Sequence, residues 1–219
     1  MSGRLDAIEI ETGAAPRSAV IWLHGLGADG HDFEPIVPEL GLPSSLAVRF
    51  VFPHAPIQPV TINGGMRMRA WYDVTGDGRQ DERGVRSSQA HVEALIARER
   101  GRGIPARSLV LAGFSQGGAM ALQTGLRHAE RLAGILALSC YLPLPETLAQ
   151  EVSAANRDVP IFMCHGAHDQ VIPLAWAARS RDHIAALGYA VDWREYPMPH
   201  SVCAEEIADV GLWLREVLR

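Results

Sequence analysis

Ser115 stands at the centre of Gly113-Phe114-Ser115-Gln116-Gly117, between an apolar run at 108–112 and a small-residue helical stretch at 118–126. A strand that turns sharply into a helix forces a serine Oγ into the open, and glycines two residues to either side let strand and helix close up with no Cβ between them. On its own such a match is more often a glycine-rich turn with an inert serine. Its meaning depends on what else the chain supplies. Serine is a weak nucleophile that needs a base to take its proton, an acid to orient that base, and donors for the charge that develops on the attacked oxygen. The base must be a histidine, because the sequence contains no lysine and all 20 of its basic residues are arginine. The same absence excludes a Walker A phosphate loop, Schiff-base and pyridoxal-phosphate chemistry, and a Ser-Lys dyad.

The elements that must position these groups follow from hydrophobic patterning. Apolar runs at 19–23, 46–52, 108–112, 132–140 and 159–164, with an alternating run at 190–196, predict strands. Between and beyond them, 33–40, 85–100, 118–126, 146–155, 173–187 and 204–218 predict helices. Strands and helices alternate without internal repeats, so the expected fold is a doubly wound, mostly parallel α/β sheet in one domain spanning 1–219. Ligands of such sheets gather outside the carboxyl ends of the strands. The polar residues just past those ends are His24 with its glycine loop, Ser115, Asp169 and His200. Their chain order, serine then acid then histidine, is that of the α/β-hydrolase triad.

Ser115 then acts as nucleophile, His200 as general base and acid, and Asp169 as the group that orients the imidazole. The backbone N–H of Gln116 at the helix start, with a second from the Leu26 loop, is expected to form the oxyanion hole. Surface decoration is the bland reading of Asp169 and His200 taken singly; jointly, in the right order and at strand ends, it loses force. His165, His168 and Asp169 also have metal-ligand chemistry, but no H-E-x-x-H helix is present and no metal site is expected.

The composition is that of an ordinary globular chain long enough for one α/β domain. The 219 residues are 47% apolar and 21% charged, with a formal charge of −5. That balance argues against a nucleic-acid partner. The basic cluster Arg98, Arg100, Arg102 and Arg107 reads as a solvated helix end. The N-terminal stretch, charged at Arg4, Asp6, Glu9 and Glu11, lacks the apolar centre of a secretory signal, and the longest apolar stretch, 132–144, is too short and broken to span a membrane. A cytoplasmic protein is expected, with Cys140, Cys164 and Cys203 reduced.

Several motifs together resemble the phospholipase/carboxylesterase family, which includes bacterial carboxylesterases and acyl-protein thioesterases. They are Leu23-His24-Gly25-Leu26-Gly27-Ala28-Asp29-Gly30, Pro59-Val60-Thr61-Ile62-Asn63-Gly64-Gly65-Met66, Arg69-Ala70-Trp71-Tyr72-Asp73, Gly113-Phe114-Ser115-Gln116-Gly117-Gly118-Ala119, and His165-Gly166 with Asp169. The resemblance implies a compact α/β-hydrolase fold and a cofactor-free serine esterase working through Ser115, Asp169 and His200, with Leu26 and Gln116 as oxyanion donors.

The interval between Ser115 and Asp169 is filled by predicted elements and leaves no room for a cap domain. Core-domain loops must therefore wall the acyl groove. The candidates are Leu26, Ile62, Met66, Met68, Trp71, Tyr141, Leu142, Val171 and Ile172, several of them in the apolar but aperiodic loop 53–73. Carboxylic esters of short to medium acyl chains are the first expectation for substrate. A thioester on acylated protein or a lysophospholipid is the alternative within the same chemistry, and a non-catalytic binding protein is the alternative outside it. Apolar groove edges leave a homodimer open.

Overall fold

The computed structural model describes residues 5–219; residues 1–4, and with them Arg4, lie outside the described residues. Seven strands form one sheet in the order β1-β3-β2-β6-β7-β8-β9. These are β1 (Ala7–Glu11), β2 (Ser18–Leu23), β3 (Val48–Pro53), β6 (Leu109–Phe114), β7 (Gly134–Leu138), β8 (Ile161–Gly166) and β9 (Val191–Tyr196). Every pair is parallel except β1 with β3. Two further strands, β4 (Ile57–Val60) and β5 (Met66–Arg69), form a separate antiparallel hairpin.

The apolar runs are continuous because both sheet faces are buried. Along β2, Ala19, Ile21 and Leu23 pack with α1 (Glu82–Gly101), α2 (Gln116–Gly125) and α4 (Leu174–Ala186). Val20 and Trp22 point the other way, into a core shared with α5 (Ala204–Val217) and the 3-10 helix Glu34–Leu40. Alternate residues of a strand serve opposite faces, so a strand covered on both sides has no polar side to show. The short helix α3 (Pro145–Glu151) completes the elements between Ser115 and Asp169, and no cap is inserted there.

The structure refines or corrects the sequence reading at five places. The charged N-terminal stretch is a strand: in Ala7-Ile8-Glu9-Ile10-Glu11 the glutamates alternate with apolar residues, and β1 pairs antiparallel with β3 at the sheet edge. Two members of the basic cluster read as solvated, Arg98 and Arg102, belong instead to an ion-pair network. Fully buried Glu99 meets Arg49 at 2.9 Å and both Arg98 and Arg102 at 3.1 Å, while Glu9 pairs with Arg98 and Arg102, and Glu11 with Arg49. The helix expected at 33–40 forms as a 3-10 helix over Glu34–Leu40, with Pro35 in its first turn and Pro38 inside it. The aperiodic loop 53–73 carries the β4–β5 hairpin, whose four-residue strands are too short and too exposed to show an alternating pattern. Helix α1 also begins earlier than expected, at Glu82, where the Asp81 carboxylate caps the Gly84 N–H. Cys140, Cys164 and Cys203 are free thiols, the first two buried.

Candidate active site

Ser115 sits between β6 and α2 with φ 55° and ψ −121°, a left-handed conformation that costs a non-glycine residue on the order of 1–3 kcal/mol. Its neighbours hold the strain in place. The Ser115 N–H donates to Leu138 O at 2.8 Å. A Cβ at Gly113 would collide with the backbone of Gly117, and one at Gly117 with the carbonyl of Leu23, so glycine is required on both sides of the turn.

The structure brings together the three residues singled out from chain order. His200 Nε2 lies 2.9 Å from Ser115 Oγ, and His200 Nδ1 lies 2.6 Å from Asp169 Oδ2. An ionised carboxylate only accepts, so Nδ1 carries the proton and Nε2 is left to accept from the serine hydroxyl. Asp169 is fixed in turn by its other oxygen, which accepts the N–H groups of Val171 and Ile172 at 2.8 and 2.9 Å. Phe114 packs against the His200 ring with centroids 4.7 Å apart. The arrangement can generate a nucleophile at Ser115, hold the resulting imidazolium against Asp169, and return the proton to a leaving group.

The expected oxyanion donors belong to the two segments that adjoin Ser115. Gln116 is the first residue of α2, whose N–H has no partner inside the helix. The loop carrying Leu26 passes beside the nucleophile, so that a Cβ on Gly25 would stand 3.4 Å from Ser115 Cβ. His24 organises this loop in a way its position in the sequence did not reveal. Its Nε2 accepts the Ala55 N–H at 3.0 Å, which obliges Nδ1 to donate to Gly25 O at 2.7 Å. Burial pulls the imidazole down to about 4, so it stays neutral and keeps both bonds.

The groove candidates divide. Met66 and Val171 are 65% and 66% exposed, Ile62 is exposed, and Leu26, Met68 and Tyr141 are half-buried. Trp71 does not line the groove: it has no exposed surface, and its indole N–H donates to His24 O at 2.9 Å. Leu142 and Ile172 are buried as well, with the Leu142 N–H on Ser180 Oγ, and present little surface to a substrate. Apolarity in an irregular segment cannot tell an inward side chain from an outward one. Trp176 was missed; it is exposed in the first turn of α4 and meets Tyr141 edge-on at 6.3 Å. Its spacing of four from Ile172, across a proline helix start, was the available signal.

His165 is buried with Nε2 on Ile172 O at 2.9 Å, and no group of three or more His, Cys, Asp or Glu among the described residues is arranged to hold a metal. No helix among them is long and apolar enough to cross a membrane.

Comparison with known proteins agrees with this geometry. The family model described as phospholipase/carboxylesterase matches residues 5–218. Acyl-protein thioesterase 1 of Yarrowia lipolytica is 39% identical over 221 residues, covering 97% of each chain. The protein of the same name from Neurospora crassa is 42% identical over 213 residues, covering 92% of this chain and 87% of that one. Among solved structures, Zea mays acyl-protein thioesterase 2 superposes with a TM-score of 0.86 at 28% identity, covering 98% of this chain and 99% of that one. Arabidopsis thaliana SOBER1 gives a TM-score of 0.88 at 28% identity, over 93% and 100%.

Proposed function

Since the chain belongs to the phospholipase/carboxylesterase family and is a serine hydrolase, we propose that it is an acyl-thioester and ester hydrolase of the acyl-protein thioesterase type. Ser115, His200 and Asp169 are its triad, and the Leu26 and Gln116 N–H groups are its oxyanion donors. The carrying observation is the unbroken line Asp169–His200–Ser115; the exposed apolar side chains of Met66, Ile62 and Val171 are its candidate acyl contacts. Relatives of about this length, near 40% identity and named acyl-protein thioesterase 1, move acylated protein ahead of the simple carboxylic esters that the sequence put first.

The chemistry follows from the geometry. His200 Nε2 takes the hydroxyl proton as Ser115 Oγ attacks the acyl carbonyl carbon, and the tetrahedral oxygen collects its charge opposite the two backbone N–H groups. Collapse expels a thiolate or alkoxide, which takes the proton back from His200. Water then repeats the sequence on the acyl-enzyme, releasing the carboxylic acid and restoring the serine. With no cap over Ser115, the acyl chain lies along an open groove between the β4–β5 hairpin and the start of α4. Such a groove accepts a chain still attached to a bulky protein surface, which a deep tunnel does not.

The test is a rate series on one preparation over an S-acylated peptide, p-nitrophenyl esters of increasing chain length, and a lysophospholipid. The proposal expects the highest kcat/KM on the S-acylated peptide. Higher kcat/KM on short p-nitrophenyl esters would return the assignment to a carboxylesterase.

A further inference from the structure

Both halves of the proposed oxyanion hole are tied to one four-residue segment, Arg69-Ala70-Trp71-Tyr72. On the loop side, the Gly27 N–H donates to Arg69 O at 2.9 Å, and the Trp71 indole N–H donates to His24 O at 2.9 Å. On the elbow side, the Gln116 side chain spans two backbone groups: its Oε1 accepts the Trp71 N–H at 2.7 Å and its Nε2 donates to Tyr72 O at 2.8 Å. Gln116 therefore offers its own N–H toward the oxyanion while its side-chain amide grips the segment. Ser88 on α1 donates from its hydroxyl to Trp71 O and anchors the segment from a third element.

The segment begins with the last residue of β5. Upstream of it on that strand are Met66, exposed, and Met68, whose sulfur would lie 3.7 Å from a Cβ placed on Gly27. Met68 therefore packs beside the oxyanion loop itself. Trp71 and Gln116 are buried, so their bonds face no competition from water, and each lost bond would leave an amide or carbonyl group unpaired in the interior. The hairpin and both donor-bearing segments are thus joined through buried hydrogen bonds.

We propose that Arg69–Tyr72 is a clasp through which an acyl chain lying on Met66 and Met68 sets the geometry of both oxyanion donors, with Trp71 and the Gln116 side chain as positioning residues. The inference rests on the reading of Ser115 and its oxyanion hole given above. Its consequence is specific: part of the acyl chain's binding energy is realised only in the transition state, so a longer chain raises kcat and does not merely lower KM. A groove mechanically independent of the elbow would let chain length act on KM alone.

The experiment measures kcat and KM separately over p-nitrophenyl esters from acetate to decanoate, for wild type, Trp71→Phe and Gln116→Met. Trp71→Phe keeps most of the ring volume and removes the indole bond to His24; Gln116→Met keeps the backbone N–H and removes both side-chain bonds. Wild-type kcat is expected to rise about tenfold along the series, and the rise to shrink to about twofold in both variants while KM still falls with chain length. A variant kcat that is lower but rises in parallel with wild type assigns the contacts a purely structural role and overturns the clasp, as does a wild-type kcat independent of chain length. Should either variant fail to fold by thermal melting, Ser88→Ala, which frees the Trp71 carbonyl alone, is read by the same slope. Labelling of wild-type Ser115 by a fluorophosphonate, run beside the series, separates the two levels. A labelled enzyme with parallel slopes loses the clasp alone; an unlabelled one loses the reading of Ser115 as well.

Discussion

His200 Nδ1 and Asp169 Oδ2 are 2.6 Å apart, and the second oxygen of that carboxylate is already committed to the Val171 and Ile172 N–H groups. Asp169 therefore orients the imidazole and shapes the turn before α4 with different atoms, and one substitution separates the two roles. In Asp169→Asn the amide oxygen can keep the turn while the NH2 faces Nδ1, which reverses the tautomer and leaves Nε2 unable to accept from Ser115. The expected result is a loss of kcat on the order of 10⁴-fold with a nearly unchanged melting temperature. Steady-state rates on p-nitrophenyl butyrate together with calorimetry check it.

The oxyanion loop carries a pH signature of its own. His24 is held down to about 4 by burial, against 6.5 for the free imidazole. Between those values the unfolded chain binds the proton that the folded one refuses, so stability is full above about pH 6.5 and falls as pH drops toward 4. The contribution is on the order of 3 kcal/mol. Replacing His24 with Gln should remove this pH window from urea midpoints; an equally steep acid loss in the variant would assign the window to another group.

Glu206 gives the opposite slope. It is fully buried in the third position of α5, near Trp22, Phe33 and Val202, with no hydrogen-bond partner on either carboxyl oxygen, and burial pushes its carboxyl up to about 8. The folded state keeps a proton that the unfolded state releases above 4.5, so stability declines as pH rises from 4.5 to 8 and then levels off. Glu206→Gln is expected to equal wild type at about pH 5 and to exceed it by a few kcal/mol at about pH 9. Parallel stability curves would contradict a neutral Glu206.

How much of this was legible in the sequence depended on whether a residue's signal was periodic or directional. Strands β2, β3, β6, β7 and β8 announce themselves because both faces are buried, and Ser115, Asp169 and His200 because each follows a strand end. Strand β1 was legible and overlooked: its glutamates alternate with apolar residues and pair with arginines. Trp71 was not legible. In an aperiodic segment nothing local says that an indole points inward to His24 O, and the same holds for the Gln116 amide, whose partners are 45 and 44 residues away. Long-range hydrogen bonds of irregular segments are set by packing, which a single sequence does not print.

The groove edge is testable without risk to the fold. Met66 is 65% exposed, so Met66→Asp should leave stability within about 0.5 kcal/mol of wild type. A charge where an acyl chain must lie should raise KM for long-chain substrates by about tenfold or more and leave acetate esters nearly unaffected, since only the long chain loses apolar contact. Equal changes for acetate and decanoate esters would move the acyl chain off the hairpin.

The central claim is that acyl transfer passes through Ser115. Its most direct measurement is intact-protein mass spectrometry after reaction with a fluorophosphonate, with peptide mapping, on wild type and Ser115→Ala side by side with turnover of an S-acylated peptide. One adduct on Ser115, none in the variant, and a loss of turnover on the order of 10⁴-fold or more is the expected result. An adduct on another residue, or a Ser115→Ala protein that keeps turning over substrate at near the wild-type rate, would contradict it.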